Sequence, residues 1–209
     1  MPLKKTIIVD ENTKVLVWKI TESLQELQSI YLTETSQQRV HSMRSEMHQK
    51  GFVSVRHLLK EFGYTDADLF YTEDGKPHLK DGKHISITHS FNYSAVIISH
   101  QCVGIDIEKN RDKILRIAHK FVDKENSYLK EENKIEQLTV LWGAKESLYK
   151  IHPDGGLLFS QHLPIDAFTL HDDKTTGWIL KGDLKENYHI HFLSIEDFTL
   201  VYALPKAAK

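Results

Sequence analysis

The spacing of apolar positions along the chain alternates between segments that suit strands and segments that suit helices. Strands are predicted near Lys14 to Ile20, Asp68 to Tyr71, His84 to Thr88 and Ser94 to Ser99, and helices within Glu22 to Leu32 and Gln49 to Phe62. The second half opens with a strand near Val103 to Glu108. It continues through helices around Ile114 to Phe121, Lys124 to Glu131 and Ile135 to His152, then strands near Asp166 to Leu170, Gly177 to Lys181, Tyr188 to Ser194 and Phe198 to Ala203. Asp172-Asp173-Lys174-Thr175-Thr176 and Lys185-Glu186-Asn187 read as turns. Each half therefore carries helices and an antiparallel meander, the α+β class, without any residue-level repeat. The expected division is an N-terminal subdomain over residues 1–101 and a C-terminal one over 102–209.

Two stretches carry most of the chemistry. In Gly104-Ile105-Asp106-Ile107-Glu108 the side chains of a strand alternate, so Asp106 and Glu108 share one face while Ile105 and Ile107 enter the core. Carboxylates about 7 Å apart at their Cα atoms repel one another, and a hard divalent cation relieves the repulsion. The strand is expected to form the second arm of a hairpin with Val96 to Ser99 across His100-Gln101-Cys102-Val103. The other stretch, Trp142-Gly143-Ala144-Lys145-Glu146-Ser147-Leu148-Tyr149-Lys150, lies in a helix whose buried stripe is Leu138, Leu141, Ala144 and Leu148. Trp142, Lys145, Glu146, Tyr149 and Lys150 fall within an arc of roughly 140°. Three carboxylates and two lysines so arranged suit a metal ion and a diphosphate. Taken singly, each pattern also suits a solvated strand face or an ordinary charged helix surface.

A third element joins them, the strand Ile85-Ser86-Ile87 running into Thr88-His89-Ser90 and a turn. With Thr88-His89-Ser90, Gly104 to Glu108 and Trp142 to Lys150 in this order and spacing, the chain resembles the 4'-phosphopantetheinyl transferase superfamily, and by length its Sfp-type branch. Gly75-Lys76-Pro77, Phe121-Val122-Asp123-Lys124-Glu125 and Gly155-Gly156-Leu157 resemble further elements of that family, so the likeness covers about Arg56 to Leu157. Thr88 stands where serine is commoner and keeps the hydroxyl.

The resemblance implies a pseudo-twofold pair of similar subdomains with the active site in the cleft between them. It implies an enzyme that moves 4'-phosphopantetheine from coenzyme A to a serine of an apo acyl or peptidyl carrier protein and releases 3',5'-ADP. Asp106, Glu108 and Glu146 are then the ligands of Mg²⁺, with Mn²⁺ as a substitute. Lys150, with Lys145 beside it, is the expected diphosphate contact, and Glu125 the expected general base, although a carboxylate at a helix start fits position 125 as well. Thr88, His89 and Ser90 are expected at the phosphate of the 3',5'-ADP part, Lys76 and Pro77 on the adenine side, and Arg56, where relatives carry an arginine, among the coenzyme A contacts. Tyr128, Leu129 and Lys130 suit a carrier-docking surface and an amphipathic helix equally.

Composition narrows the alternatives. A formal charge of −2 leaves no excess of Lys and Arg for a general nucleic-acid binder. The single Cys102 removes an intrachain disulfide and a four-thiolate zinc site. Among the 13 histidines, His189 and His191 share a strand face, while His41, His48, His57 and His119 lack a zinc-helix signature; none is assigned as a ligand. With no apolar run of membrane length and no signal-peptide pattern, a cytoplasmic protein is expected, and two halves in one chain suggest a monomer. Two other functions share these residues: a noncatalytic carrier-binding relative, and a metal-dependent phosphoesterase acting on another diphosphate.

Overall fold

The computed structural model describes residues 2–152 and 155–206. It has the α+β class expected, in two compact units, Met1–Gln101 and Cys102–Lys209, each built on a four-stranded antiparallel sheet.

The N-terminal unit contains strands β1 (Leu3–Ile8) and β2 (Lys14–Lys19), helices α1 (Leu24–Leu27), α2 (Glu34–Ser42) and α3 (Glu46–Glu61), and strands β3 (Leu69–Tyr71), β4 (Pro77–Leu79), β5 (His84–Ser90) and β6 (Tyr93–Ser99). Its sheet runs β1-β2-β6-β5, and β3 pairs with β4 as a separate ribbon. The apolar face of α3 packs on β6, β2 and β5, where Val53, Leu58 and Leu59 meet Leu16, Val96 and Ile98.

Helix α2 escapes an apolar-periodicity reading because Val40 is its one apolar residue and, with Ser36, the only buried one. Hydrogen bonds define its start instead. The Thr33 hydroxyl accepts from Ser36 N and donates to Asp66 Oδ2, which also accepts from Thr33 N.

The C-terminal unit comprises β7 (Gly104–Lys109), α4 (Lys113–Ile117), α5 (Lys134–Ile151), α6 (Phe159–His162), β8 (Lys174–Lys181), β9 (Leu184–Ile195) and β10 (Phe198–Pro205). Its sheet order is β7-β10-β9-β8, and α5 packs on β7, β10 and β8. The expected stripe of Leu138, Leu141, Ala144 and Leu148 is buried, packed with Phe121, Ile179, Ile190 and Val201.

Four expectations need correction. β6 and β7 do not form a hairpin: β6 already has β2 on one edge and β5 on the other, so β7 pairs with β10. Lys124 to Glu131 is not a helix but two short 3₁₀ turns, Lys124–Ser127 and Glu131–Asn133. Side chains take the backbone donors there, Glu125 Oε2 accepting from Asp123 N and Gln137 Oε1 from Lys130 N. Asp166 to Leu170 is not a strand; one bridge joins Ile165 to Gly177, after which the Asp172 carboxylate takes Thr169 N and turns the chain away. The turns near residues 172 and 185 also move. β8 begins at Lys174 and β9 at Leu184, because Gly182, at φ 59°, makes a two-residue hairpin with Asp183.

Candidate functional site

Two glycines bring the acidic strand and the lysine helix together. A Cβ built on Gly104 would lie 1.9 Å from Ser147 O, so the backbone of α5 rests directly on β7. One turn earlier a Cβ on Gly143 would meet Val201 Cγ2 at 2.7 Å and would stand 3.7 Å from Asp106 Oδ2. The Ser147 hydroxyl spans the same seam, donating to Gly143 O at 2.7 Å and reaching Val201 O at 3.3 Å.

The close approach sets the polar side chains. Ile105 and Ile107 are buried as the alternation requires, yet Asp106 is buried too and Glu108 half-buried. Lys150 reaches from α5 to β7, donating to Ile105 O at 2.7 Å and to Asp106 Oδ1 at 3.0 Å. Glu146 lies one turn before Lys150 on the same helix. Burial first, and then the Asp106 carboxylate, push its pKa up to about 7, against the pull of Lys150 and with a further push from Glu108. Asp106, Glu108, Glu146 and Lys150 thus sense one another electrostatically.

Whether a metal ion fits follows from that repulsion. Three carboxylates offer the hard oxygen donors that Mg²⁺ takes, and a divalent cation would reverse the electrostatics that hold Glu146 above the carboxylate range. The donors are not already gathered round a point; among the described residues no group of three His, Cys, Asp or Glu side chains forms a ready-made ligand set. The residues fit the ion in kind, and the ligand cage closes only with side-chain movement.

Lys145 and Glu125 lie elsewhere. They form a salt bridge at 2.6 Å with side-chain exposures of 0% and 2%. The Lys145 ammonium also donates to Phe121 O at 2.7 Å and Phe159 O at 3.0 Å, which uses all three protons. Glu125 accepts in addition from Ile165 N and Asp123 N. Lys145 and Lys150 stand at opposite ends of the 140° arc, and so they face different neighbours. The expectation that they would sit side by side is therefore corrected. Trp142 closes the space around Lys145, edge-on to Phe121 and tilted against Phe159.

The N-terminal unit presents its own set. Thr88 and Ser90 are buried and His89 is exposed at the end of β5, two residues before the Phe91-Asn92 turn, with Phe91 at φ 51°. Gly51 of α3 accepts the His89 ring closely: a Cβ there would stand 3.1 Å from His89 Cγ and Nδ1. His48, one turn before Gly51, has its ring 6.2 Å from that of His89. Lys76 and Pro77 lie in the β3–β4 ribbon, where Lys76 O accepts from Thr72 N and Pro77 opposes Tyr71. Arg56 is in the core. Its guanidinium bonds Asp66 Oδ1 at 2.8 Å and Phe52 O at 3.2 Å, and stacks over the Phe52 ring.

Sequence reasoning assigns no role to Gly51, Gly143, His48 or Asp66. A glycine inside an otherwise regular helix signals close approach, and both helical glycines carry that signal.

Comparison with known proteins fits this geometry. Residues 102–203 match the 4'-phosphopantetheinyl transferase superfamily, almost the whole of the unit that holds β7 and α5. That unit belongs to the 4'-phosphopantetheinyl transferase superfamily. Among individual proteins, the chain is 32% identical over 143 residues to the 4'-phosphopantetheinyl transferase gsp of Aneurinibacillus migulanus, covering 65% of this chain and 58% of that one. It is 34% identical over 134 residues to the 4'-phosphopantetheinyl transferase Sfp of Bacillus subtilis, covering 59% and 58%. Enterobactin synthase component D of Salmonella typhi is 29% identical over 116 residues, covering 53% and 49%. The chain thus spans about half to three fifths of the length of these relatives. Among the described residues, no helix is long and apolar enough to cross a membrane.

Proposed function

We propose that this chain transfers the 4'-phosphopantetheine group of coenzyme A to a serine of an apo carrier protein, releasing 3',5'-ADP. The observation that carries the reading is the acidic trio of Asp106, Glu108 and Glu146 next to the Lys150 ammonium, on the stretch that matches the superfamily. Those three carboxylates would hold Mg²⁺, which when bound supplies positive charge to the diphosphate oxygens and the leaving phosphate.

The chain's own groups do the rest. Lys150, whose side chain is 28% exposed and lies at the rim of the trio, is able to turn its ammonium toward a diphosphate oxygen. His89, exposed and backed by Gly51, would donate to a phosphate of the nucleotide end, and the buried Thr88 and Ser90 hydroxyls flank it. Lys76 and Pro77, in a turn fixed by backbone hydrogen bonds, would border the adenine. For Glu125 to take the proton of the carrier serine it would have to give up part of its contact with Lys145, Ile165 and Asp123. Its surroundings support a bracing role better, as those of Arg56 do in the N-terminal unit.

The test is direct. Purified protein incubated with coenzyme A, Mg²⁺ and a panel of apo acyl and peptidyl carriers should add the mass of phosphopantetheine to at least one carrier. No added mass on any of them, with folded protein and metal present, overturns the proposal.

A further inference from the structure

Lys150 occupies an unexpected place for a residue that serves a diphosphate. Its ammonium is held by two acceptors of β7, the Ile105 carbonyl and Asp106 Oδ1. The carbonyl belongs to a strand at the edge of its sheet, with β10 as its sheet neighbour, so a donor from α5 can reach it. The carboxylate is one of the three that would ligate the metal. Lys150 therefore supplies positive charge to one of the carboxylates that would hold a divalent cation.

Resting on the reading just given, we infer that Lys150 is the resident counter-ion of the acidic trio, which a divalent cation must displace from Asp106, so that metal entry and release of the ammonium toward the diphosphate are one coupled event. Three observations support this. Lys150 is partly exposed, whereas Lys145 is sealed, so only Lys150 has room to swing outward. Its helix is fixed against β7 by the Gly104 contact and against β10 by the Gly143 contact, so the side chain moves while the backbone stays. And a cation arriving at Asp106 would be repelled by the ammonium at close range unless the latter leaves.

The consequence is an ordered exchange of charge. Without coenzyme A, Lys150 loses its carboxylate partner when the metal enters, and metal binding is weakened. With coenzyme A present the displaced ammonium gains the diphosphate as a new partner, so metal and coenzyme A strengthen one another by the reciprocity that binding linkage demands.

The experiment titrates Mn²⁺ into the folded protein without coenzyme A, following free Mn²⁺ by electron paramagnetic resonance. Lys150→Met should bind Mn²⁺ at least about fivefold more tightly than the unaltered chain, whereas Lys150→Arg, which keeps the charge, should not. Binding by Lys150→Met that is equal to or weaker than that of the unaltered chain overturns the inference. If Lys150→Met does not fold, lysine acetylation of the unaltered chain, read by mass spectrometry, tests the same displacement: labelling at Lys150 should rise several-fold when Mg²⁺ is added. A constant or lower rate overturns the inference. If the unaltered chain binds no Mn²⁺ even with coenzyme A present, the metal reading itself fails, which is a separate result.

Discussion

Lys145 and Lys150 lie on the same helix and each meets a carboxylate, yet the two pairs are built in opposite ways. Lys145 and Glu125 are sealed from solvent, and every ammonium proton has an acceptor. Lys150 and Asp106 are joined at the edge of a sheet with Lys150 partly in solvent, and two further carboxylates, Glu146 and Glu108, crowd the same charge. The first pair is satisfied and has nothing left to offer a ligand. The second has more negative charge than its one lysine balances, which is the condition under which a cation or a phosphate-bearing substrate finds work to do. The difference separates a sealed pair from a partly exposed one within a single helix, although both lysines belong to the same sequence motif.

The sealed pair gives the largest expected effect. Lys145→Met leaves the Glu125 carboxylate buried without its counter-ion and should cost about 3–5 kcal/mol of stability, measured by urea unfolding. The double variant Lys145→Met with Glu125→Gln should recover part of that loss, because a neutral amide costs less to bury than a carboxylate. If Lys145→Met unfolds at the same urea concentration as the unaltered chain, the bracing role fails and the contrast between the pairs collapses.

The second pair should behave in the reverse manner. Asp106→Ala is expected to lower carrier phosphopantetheinylation roughly 100-fold or more while changing stability by about 1 kcal/mol or less. Lys150 can turn to solvent once its partner has gone, and the repulsion on Glu146 falls at the same time. Equal losses of folding and activity, in parallel assays of transfer rate and unfolding, would make Asp106 a structural residue.

A pH experiment sharpens the distinction further. In the metal-free protein burial, and then the Asp106 carboxylate, push the Glu146 pKa up to about 7 from the ordinary 4.5, so the folded state holds its proton longer than the unfolded state does. Stability should therefore decline as pH rises from about 4.5 to about 7 and level off above that. The melting temperature of the unaltered chain, minus that of Glu146→Gln, should show this downward slope, and Mg²⁺ should flatten it. A difference that rises with pH across the same window would show that Glu146 is not crowded by its neighbours.

These contrasts are only partly legible in the amino-acid sequence. The buried stripe of α5 and the alternation of Ile105 and Ile107 follow from period alone, and so the helix and strand that carry the site can be read directly. The partner of each lysine cannot. A helical arc tells which side chains leave one side of the cylinder, but not that Lys145 finds the Phe121 and Phe159 carbonyls while Lys150 finds β7. The partners of Lys145 lie in segments whose backbone follows side-chain hydrogen bonds rather than period, which is also why Lys124 to Glu131 and Asp166 to Leu170 depart from the expected helix and strand. Arg56 shows the same limit. The spacing marks it as polar on a helix, and only the fold reveals that Asp66, ten positions on, awaits it in the core.

The smallest expected effect carries the comparison into the N-terminal unit, where buried Arg56 and exposed His89 repeat the contrast of buried and exposed groups. Gly51→Ala places a methyl 3.1 Å from the His89 ring, a distance the ring can relieve by moving a few tenths of an ångström. Alanine in the interior of α3 gains about 1 kcal/mol of helix propensity over glycine, which offsets the crowding, so the net change in stability should stay within about 1 kcal/mol. The displaced ring should instead raise KM for coenzyme A about two- to threefold with kcat unaltered, since a group that binds the nucleotide end equally in ground and transition states affects only binding. Steady-state kinetics at saturating carrier would read this. A fall in kcat at constant KM would place His89 at the reacting phosphate rather than at the nucleotide end, and no change in either would detach the His89 ring from coenzyme A altogether.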